Sequence, residues 1–185
     1  MLEVRFHGRG GQGAVTSAEL LAIAAIEEGK FAQAFPSFGP ERRGAPVMAF
    51  SRVSDSRIRT RCQIYEPDVV IVLDSSILNV VNVCDGLKDG GLVVVNSPKA
   101  FKEVKEIIGV PCRLAVVDAT HIARECLGRP ITNTTMLGAA IKATGVVDLD
   151  SMTGPLDKRF GKIAAKNFNA MKRAFDEVKI KEVTK

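Results

Sequence analysis

At 185 residues the chain is long enough for one domain, residues 1–185, with a sizeable core. Its 46% hydrophobic and 25% charged residues are ordinary for a soluble globular protein, and no internal repeat or low-complexity linker interrupts it. The net charge of +5 permits an acidic partner or an anionic ligand without requiring nucleic acid. No apolar run approaches the ~20 residues needed to cross a bilayer.

The first strand is expected at Val4-Arg5-Phe6-His7, almost at Met1, which leaves no room for a signal peptide. It runs into Gly8-Arg9-Gly10-Gly11-Gln12-Gly13, with Gly8, Gly10 and Gly13 at G-x-G-x-x-G spacing, and then into a helix from Ala14 to about Glu28. Glycines at this junction allow a sharp turn, a close backbone approach and tight helix–strand packing. The free N–H groups and the positive end of the helix dipole also make the loop a ready anion site. Two readings stay open: phosphate or partner contact, and a turn that only joins strand to helix.

Neither nucleotide signature is complete. A dinucleotide site wants an acid about 20 positions on, at the end of the second strand. Glu27 and Glu28 have that offset but end the first helix, and the second strand, Phe31 to Phe35, leads to Pro36-Ser37-Phe38. A P-loop wants lysine after its last glycine, and Gly13 is followed by Ala14-Val15.

Gly29 suits the C-terminal end of the first helix. Pro36 to Pro46 carries three prolines and two glycines, so a long shaped loop is expected there, bearing Glu41, Arg42 and Arg43. Val47–Val53 and Arg57–Ile64 read as an antiparallel hairpin turned by Ser54-Asp55-Ser56, with Arg57, Arg59 and Arg61 on one face.

Val69 to Leu73 is an unbroken β-branched run, as in a parallel strand buried on both faces. Asp74-Ser75-Ser76 then predicts a helix through about Cys84. Leu92–Val95 and Leu114–Val117 are further buried strands. Helices are predicted to follow them, one started by Asn96-Ser97-Pro98 with Pro98 near N1 and one after Asp118-Ala119-Thr120 through Leu127. The alternation predicts an α/β fold: a Rossmann-like, doubly wound, mostly parallel sheet with an inserted antiparallel hairpin and a C-terminal helical segment. Thr132-Asn133-Thr134-Thr135 can cap a helix from Met136 to Thr144. Leu156, Phe160, Ile163, Ala164, Phe168, Met171, Phe175 and Val178 form the apolar stripe of one long last helix.

Cys62, Cys84, Cys112 and Cys126 form no C-x-x-C, so neither a zinc site nor an iron–sulfur cluster is spelled out. Reduced, mostly buried thiols in a cytosolic protein are expected. No catalytic constellation emerges. His7, at the end of the first strand, is expected to be structural or to touch a ligand, and His121 to be a helix-terminus residue.

The glycine loop, the segment Phe35-Pro36-Ser37-Phe38-Gly39-Pro40-Glu41-Arg42-Arg43-Gly44-Ala45-Pro46, and Tyr65-Glu66-Pro67-Asp68-Val69-Val70 together resemble the gamma subunit of 2-oxoacid:ferredoxin oxidoreductases. The pyruvate (pyruvate synthase) type is the nearest, and Asn133 and Leu137-Gly138-Ala139 extend the likeness over nearly the whole chain. The resemblance implies one subunit of a cytoplasmic complex that converts a 2-oxoacid and coenzyme A to acyl-CoA and carbon dioxide, reducing ferredoxin. Thiamine diphosphate, Mg and the iron–sulfur clusters are then expected on alpha, beta and delta partner subunits, none on this chain, with no nucleic acid or membrane partner. Gly8, Arg9, Gly10, Gly11, Gln12, Gly13, Glu41, Arg42, Arg43, Gly44 and Asn133 are the implied ligand-binding or catalytic interface. The alternatives are a free-standing Rossmann-like nucleotide-binding domain, a gamma subunit of the branched-chain (2-oxoisovalerate) type, and a subunit whose glycine loop docks only a partner backbone.

Overall fold

A computed structural model describes residues 1–37 and 44–183. In chain order the elements are β1 (Leu2–Arg9), α1 (Ala14–Glu27), β2 (Phe31–Pro36), β3 (Pro46–Ser54), β4 (Val69–Val72), β5 (Leu92–Asn96), α2 (Phe101–Ile108), β6 (Cys112–Val117), α3 (Ala119–Leu127), α4 (Asn133–Thr144), α5 (Thr153–Phe160), α6 (Ala164–Glu177) and β7 (Lys179–Val183). The strands form one sheet in the order β2-β3-β1-β4-β5-β6-β7. β1, β4, β5 and β6 run parallel. β3 is antiparallel to both its neighbours, and β7 is antiparallel to β6.

The β-branched run of β4 is explained by its position. Val69 and Ile71 enter the apolar cluster shared with α1, α4 and α6, while Val70 and Val72 enter the cluster shared with α2. All four are buried, each contributing about 1.5–3 kcal/mol. α4 lies deep against α6, where Gly138 is needed: a Cβ there would stand 1.9 Å from the Met171 carbonyl oxygen.

The antiparallel pairing differs from the expected hairpin. β3 pairs with β2 on one side and β1 on the other, so both of its edges are taken and none is left for residues 57–64. That segment is not a strand, and Arg57, Arg59 and Arg61 are exposed. β1 and β2 therefore run in the same direction with β3 wedged between them, a split βαβ unit.

Other departures have local causes. Asp74 caps as expected, but it opens only a 3-10 turn, Ser75–Asn79. The β-branched Val80-Val81 and flanking asparagines are poor helix formers. α2 starts at Phe101, beyond a turn in which Ser97 Oγ accepts from the Lys99 N–H. The expected single last helix is broken at Gly161, φ 51°, giving α5, a 3-10 turn Gly161–Ile163, and α6. β7 falls where no strand is expected, since its alternating lysines resemble a solvated helix tail. Of the cysteines only Cys112 is buried, and Cys62 is exposed.

Candidate functional site

The glycine loop leaves the carboxyl end of β1 and enters α1. Gly11 (φ 94°) and Gly13 (φ 82°) adopt left-handed backbone that side chains resist. The pairing of β1 with β3 continues past Arg9 and Pro46. The Gly10 N–H donates to the Ala45 carbonyl at 2.9 Å, and the Gly44 N–H donates to the Gly10 carbonyl at 3.1 Å. The glycine loop and the foot of the proline-rich loop are thus stitched together. Gly44 lies here, exposed, at φ 83°. Glu41, Arg42 and Arg43 lie outside the described residues.

Arg9 and Gln12 are turned inward, to hold the loop itself. Arg9 Nη1 donates to the Gly44 carbonyl at 3.0 Å, and Nε and Nη2 reach Ser76 Oγ at 3.0 and 2.8 Å. Gln12 Oε1 accepts from the Arg9 N–H, and its Nε2 donates to Asp74 Oδ2, both at 2.7 Å. Asp74 also accepts from the Ser76 N–H at 2.9 Å and lies 3.5 Å from Arg9 Nε. Burial alone would raise the Asp74 carboxyl, but the hydrogen bonds from Gln12 and Ser76, with Arg9 nearby, hold it below its ordinary value. Sequence reasoning misses Asp74 and Ser76 as site residues because their stretch reads as a helix cap. The available signal is an acid directly after a strand buried on both faces.

The opposite wall is α4. A Cβ on Gly13 would stand 2.7 Å from Asn133 Nδ2, so the first turns of α1 and α4 touch at this pair. Ser17 Oγ tightens the contact, reaching the Asn133 carbonyl at 3.4 Å as well as the Gly13 carbonyl at 3.1 Å. Neither helix start has a side-chain cap. Asn133 is buried, and its Oδ1 has no partner among the described residues. Gly8 packs similarly close, 3.3 Å from its notional Cβ to Leu73 Cδ1. Asn96 Nδ2 donates to the Leu73 carbonyl at 2.8 Å and to Thr120 Oγ1 at 2.9 Å, fixing the carboxyl ends of β4 and β5.

His7 lies beneath this loop, buried on the face away from α1. Burial, with Arg5 beside it, pushes its pKa down to about 3, so the imidazole is neutral. Its Nε2 has no hydrogen-bond partner among the described residues. His121 is exposed, with Nε2 3.4 Å from Glu125 on its own helix. Glu27 and Glu28 lie at the far end of α1, on Lys158 and Lys30, each at 2.8 Å. With β3 between β1 and β2, the end of β2 stands two strand spacings, about 10 Å, from β1. The strand whose end would carry a dinucleotide's ribose-binding acid is therefore not adjacent to β1. Among the described residues, no group of three or more His, Cys, Asp or Glu could hold a metal, and no helix is long and apolar enough to cross a membrane.

Residues 3–177 match the family described as pyruvate ferredoxin/flavodoxin oxidoreductase. The chain is 56% identical over 185 residues to the pyruvate/ketoisovalerate oxidoreductases common subunit gamma of Thermococcus kodakarensis, covering 99% of this chain and 100% of that one. It is 54% identical over 179 residues to pyruvate synthase subunit PorC of Methanothermobacter thermautotrophicus, 96% of each chain. The fold superposes on the crystal structure of pyruvate oxidoreductase subunit PORC from Thermotoga maritima with a TM-score of 0.88 at 40% identity, covering 98% of both. The chain belongs to the pyruvate ferredoxin/flavodoxin oxidoreductase family, as a gamma subunit.

Proposed function

We propose that this chain is the gamma subunit of a pyruvate-type complex that oxidatively decarboxylates a 2-oxoacid with coenzyme A to acyl-CoA and carbon dioxide, passing electrons to ferredoxin. In this reading the chain is one cytoplasmic domain and carries no redox centre. Thiamine diphosphate, Mg and the iron–sulfur clusters belong to the alpha, beta and delta subunits. The glycine loop, Glu41 to Gly44 and Asn133 line the coenzyme A side of the catalytic interface. The observation that carries this is a pair of helix starts without side-chain caps, those of α1 and α4, meeting at the carboxyl end of β1, where the stitch of Gly10 to Ala45 and Gly44 to Gly10 fixes the shape of the two loops beside them. Uncapped helix N-termini and their dipoles favour phosphate. With Arg9 committed to Ser76 and Gly44, the cationic contact with the ligand falls to Arg42 or Arg43.

The relatives called common to pyruvate and ketoisovalerate oxidoreductases favour a second reading, that one gamma chain serves two oxoacid specificities. Choice of oxoacid then rests with the other subunits, and this chain supplies the shared coenzyme A side.

The test is ferredoxin reduction by the reconstituted complex, titrated separately with coenzyme A and pyruvate. A charge-assisted hydrogen bond is worth roughly 1.5–3 kcal/mol. Arg42→Gln or Arg43→Gln should therefore raise the coenzyme A requirement roughly ten- to a hundredfold and leave the pyruvate requirement nearly unchanged. Variants that assemble normally by size-exclusion chromatography, with both titrations unaltered, would sink the assignment.

A further inference from the structure

The two edges of the sheet are built differently. β7 closes one edge with Lys179 and Lys181 exposed along it, a common guard against pairing with another chain. β2 closes the other with Phe31-Ala32-Gln33-Ala34-Phe35 and carries no charge. Its side away from β3 has no strand partner among the described residues. Phe31 is 46% exposed, and the rest of β2 is only half-buried, although α1 packs above it.

The backbone of that edge is ready to pair. The Ser37 N–H donates to the Met48 carbonyl at 3.0 Å, next to the register pair Pro36 and Ala49. Ladder donors alternate in an antiparallel pair, so Phe31, Gln33 and Phe35 donate inward to β3. The N–H groups of Ala32 and Ala34 therefore point outward, and Pro36 lacks the next one.

The flank of this edge is basic. Ser54 pairs with Phe31 at the foot of β3, and the chain then runs through Arg57, Arg59 and Arg61. It returns so that the Cys62 carbonyl accepts from Arg52 Nη2 at 2.8 Å. The Arg52 guanidinium in turn stands 5.3 Å from the Phe35 ring centroid. The segment that bears the three exposed arginines thus returns over the β2–β3 face away from α1, and none of the three forms an ion pair with a described residue. An acidic occupant is complementary to them. A second copy is not: two β2 edges joined antiparallel are related by an axis perpendicular to the sheet, which sets both arginine rows side by side on one face.

We propose that β2 is a docking edge, at which another subunit of the complex adds an extended acidic segment as an eighth strand. This rests on the reading of the chain as one subunit of a larger enzyme. Main-chain bonds to Ala32 and Ala34 give the segment its register, cover over Phe31 removes apolar surface from water, and the arginines select its charge.

Hydrogen exchange on the isolated chain and on the purified complex tests it directly. The amides of Ala32 and Ala34 should exchange roughly a hundredfold more slowly in the complex. Ala34→Pro removes one outward donor and leaves the ladder to β3 intact, so the folded variant should assemble at least about tenfold more weakly. Combined Arg57→Glu, Arg59→Glu and Arg61→Glu should weaken assembly similarly, with a smaller effect at about 0.5 M salt. Should Ala34→Pro not fold, exchange on the unaltered chain still decides. Equal exchange of both amides in chain and complex overturns the docking edge. So does protection already present in a dimer of the isolated chain, which makes the occupant a second copy. Undiminished assembly of the charge-reversed variant overturns the acidic partner. A chain that co-purifies with no other subunit fails the parent reading instead.

Discussion

Gly13→Ala probes the contact between α1 and α4 at the site. Gly13 sits at φ 82°, ψ 28°, where an alanine costs about 1–2 kcal/mol in backbone strain. The added Cβ would stand 2.7 Å from Asn133 Nδ2, 3.1 Å from Cγ and 3.2 Å from Cβ. Asn133 is 5% exposed, so its amide cannot swing into solvent. Forcing a methyl into such packing costs about 1–3 kcal/mol more. The two effects together give about 2–5 kcal/mol, and they can be separated. Asn133→Ala removes the two closest contacts and leaves only Cβ at 3.2 Å, so Gly13→Ala in that background should cost little more than the strain, about 1–2 kcal/mol. Urea unfolding of the parent, both single variants and the double variant yields the coupling energy, expected at about 1–3 kcal/mol. A Gly13→Ala cost below about 0.5 kcal/mol, or strictly additive singles, would refute the contact as a determinant of the site.

Asp74→Ala, which deletes the acceptor shared by Gln12 and Ser76, should cost about 1–3 kcal/mol and speed proteolysis of the glycine loop. Because the folded Asp74 carboxyl lies below its ordinary value of 3.8, its contribution is present above that pH and fades as pH falls below it; acid titration of loop proteolysis checks this. His7 is held neutral with a pKa of about 3 against 6.5 ordinarily, so stability should fall as pH drops below 6.5. The loss should reach about 2 kcal/mol at pH 5, and His7→Phe should flatten that slope in urea melts across pH. Arg52 is 1% exposed and meets Glu3 at 2.8 Å; Glu3→Ala strands that charge and should cost about 3–5 kcal/mol by thermal unfolding.

Much of the architecture was legible because short-range physics dictates it. The β-branched run at Val69–Val72 can only be a strand buried on both faces. Gly8 to Gly13 between a strand and a helix forms a tight junction, whatever it also binds, and α1 ends at Glu27 with Gly29 beyond it. The resemblance to oxidoreductase gamma subunits likewise rested on contiguous residues. The part that only tertiary structure decided is lateral. Arg57 to Ile64 alternates like a strand, but both edges of β3 are already taken by β1 and β2. Lys179 to Val183 carries little apolar signal, yet β6 offered it an open edge. The site divides the same way. Its glycines are visible in sequence because their backbone needs no side chain, and Arg9 and Gln12 stand among them. That those two side chains turn inward to Asp74 and Ser76, over 60 residues away, comes from the parallel pairing of β1 with β4. Periodicity reports which face of an element is buried; which neighbour lies against its edge is set by competition among all the strands, and that exists only once the sheet is assembled.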